Sequence, residues 1–243
     1  MITFFRNLFT PPRHMILLIL ATWIGISLAE KRAKRHGIHK DDISNITFYS
    51  LLGFIIGGRL SFVLQNIPTI IKKPSDIFSI NVDLFDMLGA ITAALLVGMI
   101  YSQRRNLSPW NLLDALVPLF SVLAISLGLS RLASGTSFGK ETDLPWAINL
   151  WNAARHPTQI YEAFASLLIF GLLWFQKKNP HAGTYFLTFA ALTAGAQLIV
   201  ETFRADTTMI FGNLSQNQLV AWVILAISFL AIELRIKQTK RTD

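Results

Sequence analysis

A chain of 243 residues that is 52% hydrophobic and 15% charged, with no cysteine, excludes disulfides, thiolate metal sites and a cysteine nucleophile of its own. Its charged share falls well below the roughly 25% of ordinary globular domains, and its mean hydropathy of +0.47 places it in the membrane class. The formal net charge of +8 sits in short segments beside apolar runs, a distribution that fits membrane orientation and anionic headgroups and argues against nucleic acid as a partner.

In chain order, residues 1–13 bring Phe4, Phe5, Leu8 and Phe9 together with Arg6 and Arg13 and read as a short interfacial segment. The run that follows lacks a small-residue cleavage site and ends in Lys31-Arg32-Ala33-Lys34-Arg35, so it reads as a retained anchor, not a signal peptide. A helix needs about 20 apolar residues to cross a bilayer. Spans are expected near 14–30, 43–66, 84–102, 112–130, 157–176, 183–200 and 214–236. The fold class is therefore all-α: a polytopic membrane protein of about seven transmembrane helices, forming a single integral-membrane domain over 1–243 without internal repeats. Seven crossings put the termini on opposite sides. Thirteen Lys and Arg residues lie on the segments shared with the carboxyl terminus and eight on the others, so the positive-inside rule predicts an outer amino terminus and a cytoplasmic carboxyl terminus.

Charges inside such runs need a reason. Arg59, in Gly57-Gly58-Arg59, lies late in the second span, where an arginine costs roughly 2.5–3.5 kcal/mol at the bilayer centre. Either it snorkels to the interface or it binds a ligand or counter-ion, and the two glycines favour a packed interior. Arg131 directly follows the fourth span and Arg204 the sixth. Each alone reads as an interfacial cation, and Arg204 has local ion-pair partners in Glu201 and Asp206. Guanidiniums from different helices are also the planar donors that a phospholipid phosphate fits. The longest outer loop, 131–156, carries Gly139 and two interfacial tryptophans, Trp146 and Trp151.

His156-Pro157 opens the fifth span, with proline at a first-turn position. Gln159, Tyr161 and Glu162 then carry polar groups into the membrane, with Gln159 and Glu162 on one face and Tyr161 on another. His156 is either a general base, having a side chain that titrates near neutrality, or a cap that braces the loop. Asp114 reads as a first-turn acid that favours its own helix dipole. Gln197 and Glu201 form a polar stripe at the end of the sixth span. The histidines His14, His36, His39, His156 and His181 are scattered without metal-site spacing, so neither a metal nor another cofactor is expected.

The run His156-Pro157-Thr158-Gln159-Ile160-Tyr161-Glu162 resembles the signature of the bacterial prolipoprotein diacylglyceryl transferases. Gly57-Gly58-Arg59-Leu60 resembles the motif of that family's second helix. Ser130-Arg131-Leu132, with Phe138-Gly139 and Asp143-Leu144-Pro145-Trp146-Ala147, resembles its signature loop, and Glu201-Thr202-Phe203-Arg204-Ala205-Asp206, with Leu214-Ser215 and Gln218, the segment before its last helix. The likeness covers nearly the whole chain. It implies an enzyme of the bacterial cytoplasmic (inner) membrane that moves the diacylglyceryl group of phosphatidylglycerol onto the lipobox cysteine of a preprolipoprotein, the first step of lipoprotein maturation. It also implies functional roles for Arg131 and Arg204, with His156 as a candidate third catalytic group and Arg59, Gly139, Gln159, Tyr161, Glu162 and Glu201 as candidate substrate-binding residues. The chain departs from the family at three places. Leu88-Gly89-Ala90 stands where the family has His-Gly-Gly, Ile16 where it has a tyrosine, and Ala133-Ser134-Gly135 replaces a longer asparagine-containing stretch. A lipid-binding relative without activity and a small anion transporter or channel are the alternatives.

Overall fold

In hydrocarbon a backbone must satisfy its own N–H and C=O groups, so long apolar runs become helices. The computed structural model of this chain describes residues 15–72, 85–176, 181–212 and 214–239. The expected interfacial segment 1–13 lies outside them, as do Lys73, Lys177, Lys178, Lys240 and Arg241, which entered the charge comparison.

The elements run α1 Met15–Ala33, a 3-10 turn Lys34–His36, α2 Lys40–Gln65, a short α3 Ile67–Lys72, α4 Met87–Arg104 and α5 Pro109–Ser134. After a hairpin of β1 Ile148–Leu150 and β2 Ala153–Arg155 come α6 Thr158–Phe175, α7 Thr184–Glu201, the strands β3 Met209–Phe211 and β4 Leu214–Ser215, and α8 Gln216–Thr239. Each expected span corresponds to one long helix. Six of them, α2 and α4 to α8, are long and apolar enough to cross a membrane. The seventh, α1, has 19 residues but ends in Glu30, Lys31 and Arg32, so its apolar part is shorter.

Two expectations change. The apolar run places the fourth span at 112–130, but α5 starts at Pro109 and runs to Ser134, where Gly135 at φ 73° ends it. Leu132 and Ala133 sustain one more turn, and Arg131 is thereby helical instead of following the helix. Asp114 does not serve the first turn of its own helix. Its carboxylate accepts from the Gly183 N–H at 2.7 Å and the Phe186 N–H at 2.8 Å, so it caps the amino-terminal end of α7. The helix dipole that favours this carboxylate is that of the neighbouring α7.

α5 sits at the centre, flanked by α1 and α6, and α8 lies along α7. Close approach is bought with glycine: a Cβ at Gly128 on α5 would lie 2.9 Å from the Gln159 carbonyl oxygen of α6. α2 and α4 form a separate hairpin, where a Cβ at Gly57 would collide with Ala93. That hairpin joins the rest through a cluster of Ala29, Ile43, Ile46, Leu112 and Ala115, and Asp42 there accepts from the Tyr101 hydroxyl at 2.9 Å and Arg105 Nε at 3.1 Å. Leu52, Ile56, Leu95 and Leu96 of the hairpin and Ile227 and Leu230 of α8 are exposed, as lipid-facing residues are.

Candidate functional site

The first turn of α6 is tied to the loop that follows α5. The Thr158 hydroxyl donates to the Ser137 carbonyl at 2.7 Å and Gln159 Nε2 to the Thr136 carbonyl at 2.8 Å, with both residues fully buried. One helical turn on, Glu162 faces inward beside Gln159, as the spacing predicts.

Glu162 is the hub. Its Oε2 accepts from Arg131 Nη1 at 2.8 Å, and its Oε1 accepts from Arg204 Nη2. Arg204 Nη1 donates to Glu201 Oε2 at 3.1 Å. Glu201 is in turn held by Gln197 at 3.2 Å, the Ser215 hydroxyl at 3.0 Å and Asn217 Nδ2 at 3.0 Å. Ser215 and Gln218 complete a capping box at the start of α8, with Gln218 N–H donating to Ser215 Oγ at 3.1 Å and Ser215 N–H to Gln218 Oε1 at 3.0 Å. Side chains from four helices thus meet in one network.

The two arginines do different work within it. The Arg204 side chain is 5% exposed, with both Nη atoms on carboxylates and its sealed Nε nearest to Asp206 Oδ1 at 3.6 Å. Arg131 is 32% exposed and uses Nη1 alone among the described residues. Its other donors are therefore the ones a ligand can reach. Two guanidiniums face Glu162 and Glu201, with the part-exposed Asp206 beside Arg204, and the open guanidinium edge belongs to Arg131.

A backbone strap positions Arg204. Gly139 bridges Arg204, with Lys140 N–H donating to the Phe203 carbonyl at 2.7 Å and Ala205 N–H to the Phe138 carbonyl at 3.0 Å. His156 closes the strap from behind: its N–H donates to the Lys140 carbonyl at 3.0 Å, and a Cβ on Gly139 would lie 2.3 Å from its carbonyl oxygen. Gly139→Ala is therefore expected to push the strap off His156 and lower the thermal midpoint by several degrees, a loss of about 1–3 kcal/mol. An unchanged melting curve would show that the strap yields freely.

The His156 ring lies elsewhere. It packs on Phe203 at 5.0 Å between centroids, and Nδ1 stands 3.4 Å from the Tyr161 hydroxyl, which accepts from Trp146 Nε1 at 2.8 Å. These residues head a cavity of about 520 Å³ between α6 and α7, walled by Phe164, Ala196, Ile199 and Val200. Among the described residues, no hydrogen bond or ion pair links His156 to either arginine or to Glu162. Arg59 sits half-buried on the α2–α4 hairpin, where neighbouring Gly58 lies against Phe85.

The expected pocket is thus brought together in part: Arg131, Glu162, Glu201 and Arg204 share one network, with Gln159 and Gly139 supporting it. His156 and Tyr161 share the adjoining cavity, and Arg59 stands on another helix pair. Leu88, at the position of the family histidine, is 74% exposed, while the next residue, Gly89, packs on Ser61. Beside it the Asp86 carboxyl caps α4, accepting from the Ser61 hydroxyl at 2.6 Å and the Gly89 N–H at 2.8 Å. Sequence reasoning missed Asn217, although the Ser215-x-x-Gln218 box places it in the first turn of α8. Among the described residues no group of three His, Asp or Glu side chains is arranged to hold a metal ion.

The family model of prolipoprotein diacylglyceryl transferase matches residues 13–233. A phosphatidylglycerol–prolipoprotein diacylglyceryl transferase of Clostridium tetani is 29% identical, over 84% of this chain and 85% of its own length. Its namesake in Clostridioides difficile is 29% identical over 86% and 84%, and that of Azotobacter vinelandii 30% over 74% and 72%. The chain belongs to the prolipoprotein diacylglyceryl transferase family.

Proposed function

We propose that this protein is a diacylglyceryl transferase that takes the diacylglyceryl group of phosphatidylglycerol and attaches it to the lipobox cysteine of a preprolipoprotein. The observation that carries the reading is the open edge of Arg131, held in place by Glu162, which is itself fixed by the buried Arg204. A guanidinium so held presents planar donors to a phosphate diester. In the reaction the substrate's thiol sulfur bonds to the glycerol carbon while that carbon's bond to phosphate oxygen breaks. The electron pair leaves with glycerol phosphate, which also takes up the thiol proton in the overall balance. Charge grows on the phosphate as the bond breaks, so a preorganised cation favours the transition state over the ground state.

Within this reading Arg131 touches the phosphate, and Arg204, Glu162 and Glu201 position it. His156 is a brace, not the base. Tyr161 and Glu162 leave α6 on different faces, and the His156 ring lies with Tyr161. The protein works as one integral-membrane unit of the bacterial cytoplasmic membrane, with the Arg131 end of the helices outward and the carboxyl terminus in the cytoplasm.

The test is incubation of purified protein with phosphatidylglycerol and a lipobox peptide, followed by mass spectrometry of the peptide and assay of glycerol phosphate. A thioether-linked diacylglyceryl peptide formed in step with glycerol phosphate is the expected result. No product, under conditions where a relative forms it, would favour a lipid-binding protein without activity. His156→Gln should keep more than a tenth of kcat/KM, because the bracing contacts are made by its backbone; a fall below about a hundredth would make the ring a general base.

A further inference from the structure

The other end of the helices holds a second buried guanidinium that the network above does not use. Arg32 lies in the last turn of α1 and is 6% exposed. Its Nη1 donates to the Tyr185 hydroxyl at 3.0 Å and to the Leu173 carbonyl at 3.4 Å, and these are its only hydrogen bonds among the described residues. Tyr185 belongs to the first turn of α7, and Glu201 ends that helix, about 24 Å away at a rise of 1.5 Å per residue.

Buried charges are normally paired, because an unpaired one loses its hydration without return. Both acceptors here are neutral, and no carboxylate pairs with Arg32 among the described residues. A helix-capping role does not account for the charge. Leu173 is at the carboxyl-terminal end of α6, where a cation is favoured, but the Tyr185 hydroxyl already takes its carbonyl at 2.7 Å. The guanidinium keeps only the longer bond to the same oxygen, so Tyr185 is the cap.

Among the described residues that leaves Nε and Nη2 without an acceptor, and neither is among the sealed, unpartnered atoms, as Arg204 Nε is. Their direction is fixed, because the guanidinium lies over the Trp174 ring at 4.1 Å from its centroid. His36 packs on Tyr185 at 5.7 Å, and the exposed Arg35 lies close enough to act on the Arg32 charge. A rigid planar fork, stacked on an aromatic ring with a second guanidinium nearby, is suited to two oxygens of one tetrahedral anion. Its place at a helix end beside a tryptophan puts it at the level of lipid headgroups.

We propose that Arg32, oriented by Tyr185 and Trp174, forms a second anion site that binds a phosphate group at the membrane surface opposite the Arg131 edge. A phospholipid headgroup and free phosphate share this chemistry. The site does not depend on the transfer reaction, and its test needs no turnover.

Native mass spectrometry of the full-length protein in detergent, titrated with dioctanoyl phosphatidic acid in an Arg131→Ala background, counts the lipid bound here. Dioctanoylglycerol serves as the uncharged control. One phosphatidic acid and no retained dioctanoylglycerol is the expected result. Adding Arg32→Gln should weaken that binding about tenfold or more. Arg32→Lys keeps the charge but loses the fork, so it guards against a folding defect, and it should also bind more weakly. Competition by millimolar inorganic phosphate would identify a free-anion site, and lack of competition a lipid-headgroup site; either supports the assignment. Equal binding by the parent and the Arg32→Lys protein, or retention of the lipid in Arg32→Gln, would overturn it.

Discussion

Arg131→Ala is expected to lower kcat/KM for diacylglyceryl transfer by about 10²- to 10³-fold, the effect of removing one preorganised donor from a developing negative charge. Among the described residues the Arg131 side chain makes one hydrogen bond, at 2.8 Å to Glu162, and Glu162 keeps Arg204 on its other oxygen when that side chain is cut. The loss should therefore be far larger in catalysis than in stability, where the Glu162 oxygen left without its donor costs about 1–3 kcal/mol. Arg131→Lys should recover only part of the rate, because a point charge cannot match the planar fork. Steady-state kinetics with phosphatidylglycerol and peptide, alongside thermal unfolding, separate the two effects. A large fall in stability with unchanged kcat/KM would make Arg131 a structural residue.

Glu162→Ala should do the reverse first. It strips a carboxylate from two guanidiniums at once, and Arg204 is too enclosed to find water in exchange. Breaking such a buried pair costs about 3–5 kcal/mol, and Glu201, which stays on Arg204 Nη1, puts the expectation toward the lower figure. Activity should fall too, since Arg131 loses the group that aims it. Adding Arg204→Met together with Glu201→Gln removes the stranded arginine without stranding the buried Glu201 carboxylate in turn, and should restore much of the thermal midpoint without restoring transfer. A triple variant as unstable as Glu162→Ala alone would mean that the penalty arises from packing, not from the unpaired arginine. Recovery of activity along with stability would show that the clamp is not needed to orient Arg131.

Much of this architecture was legible in the residues. The apolar runs gave each long helix because their lengths match a bilayer and their ends carry lysine, arginine, glycine or proline. The three-residue spacing of Gln159 and Glu162 placed both on an inward face, and the Glu201–Arg204 pair followed from adjacency. Other features depend on tertiary partners that no local pattern reveals. Asp114 looks like a first-turn acid of its own helix, and only the packing of α7 against α5 turns it into that neighbour's cap. The convergence of Arg131 and Arg204 on one carboxylate joins three distant stretches of chain. Their unequal exposure, one guanidinium about a third open and the other enclosed, likewise follows from tertiary packing. Trp151 and Asn152 give a further instance. Both adopt positive φ, 56° and 62°, to turn the β1–β2 hairpin, a job usually left to Asn-Gly. The bond from Trp151 Nε1 to the Gly135 carbonyl at 3.0 Å holds that turn against the end of α5.

The central claim is that the phosphate of the lipid donor rests on the free edge of Arg131. ³¹P NMR of a short-chain phosphatidylglycerol, titrated with full-length protein in micelles without peptide, tests it apart from turnover. A saturable shift or broadening that is lost in Arg131→Ala, and weakened in Arg204→Ala through the loosened Glu162, is what the account predicts. A phosphorus signal that responds to Arg131→Ala protein as it does to the parent would contradict it.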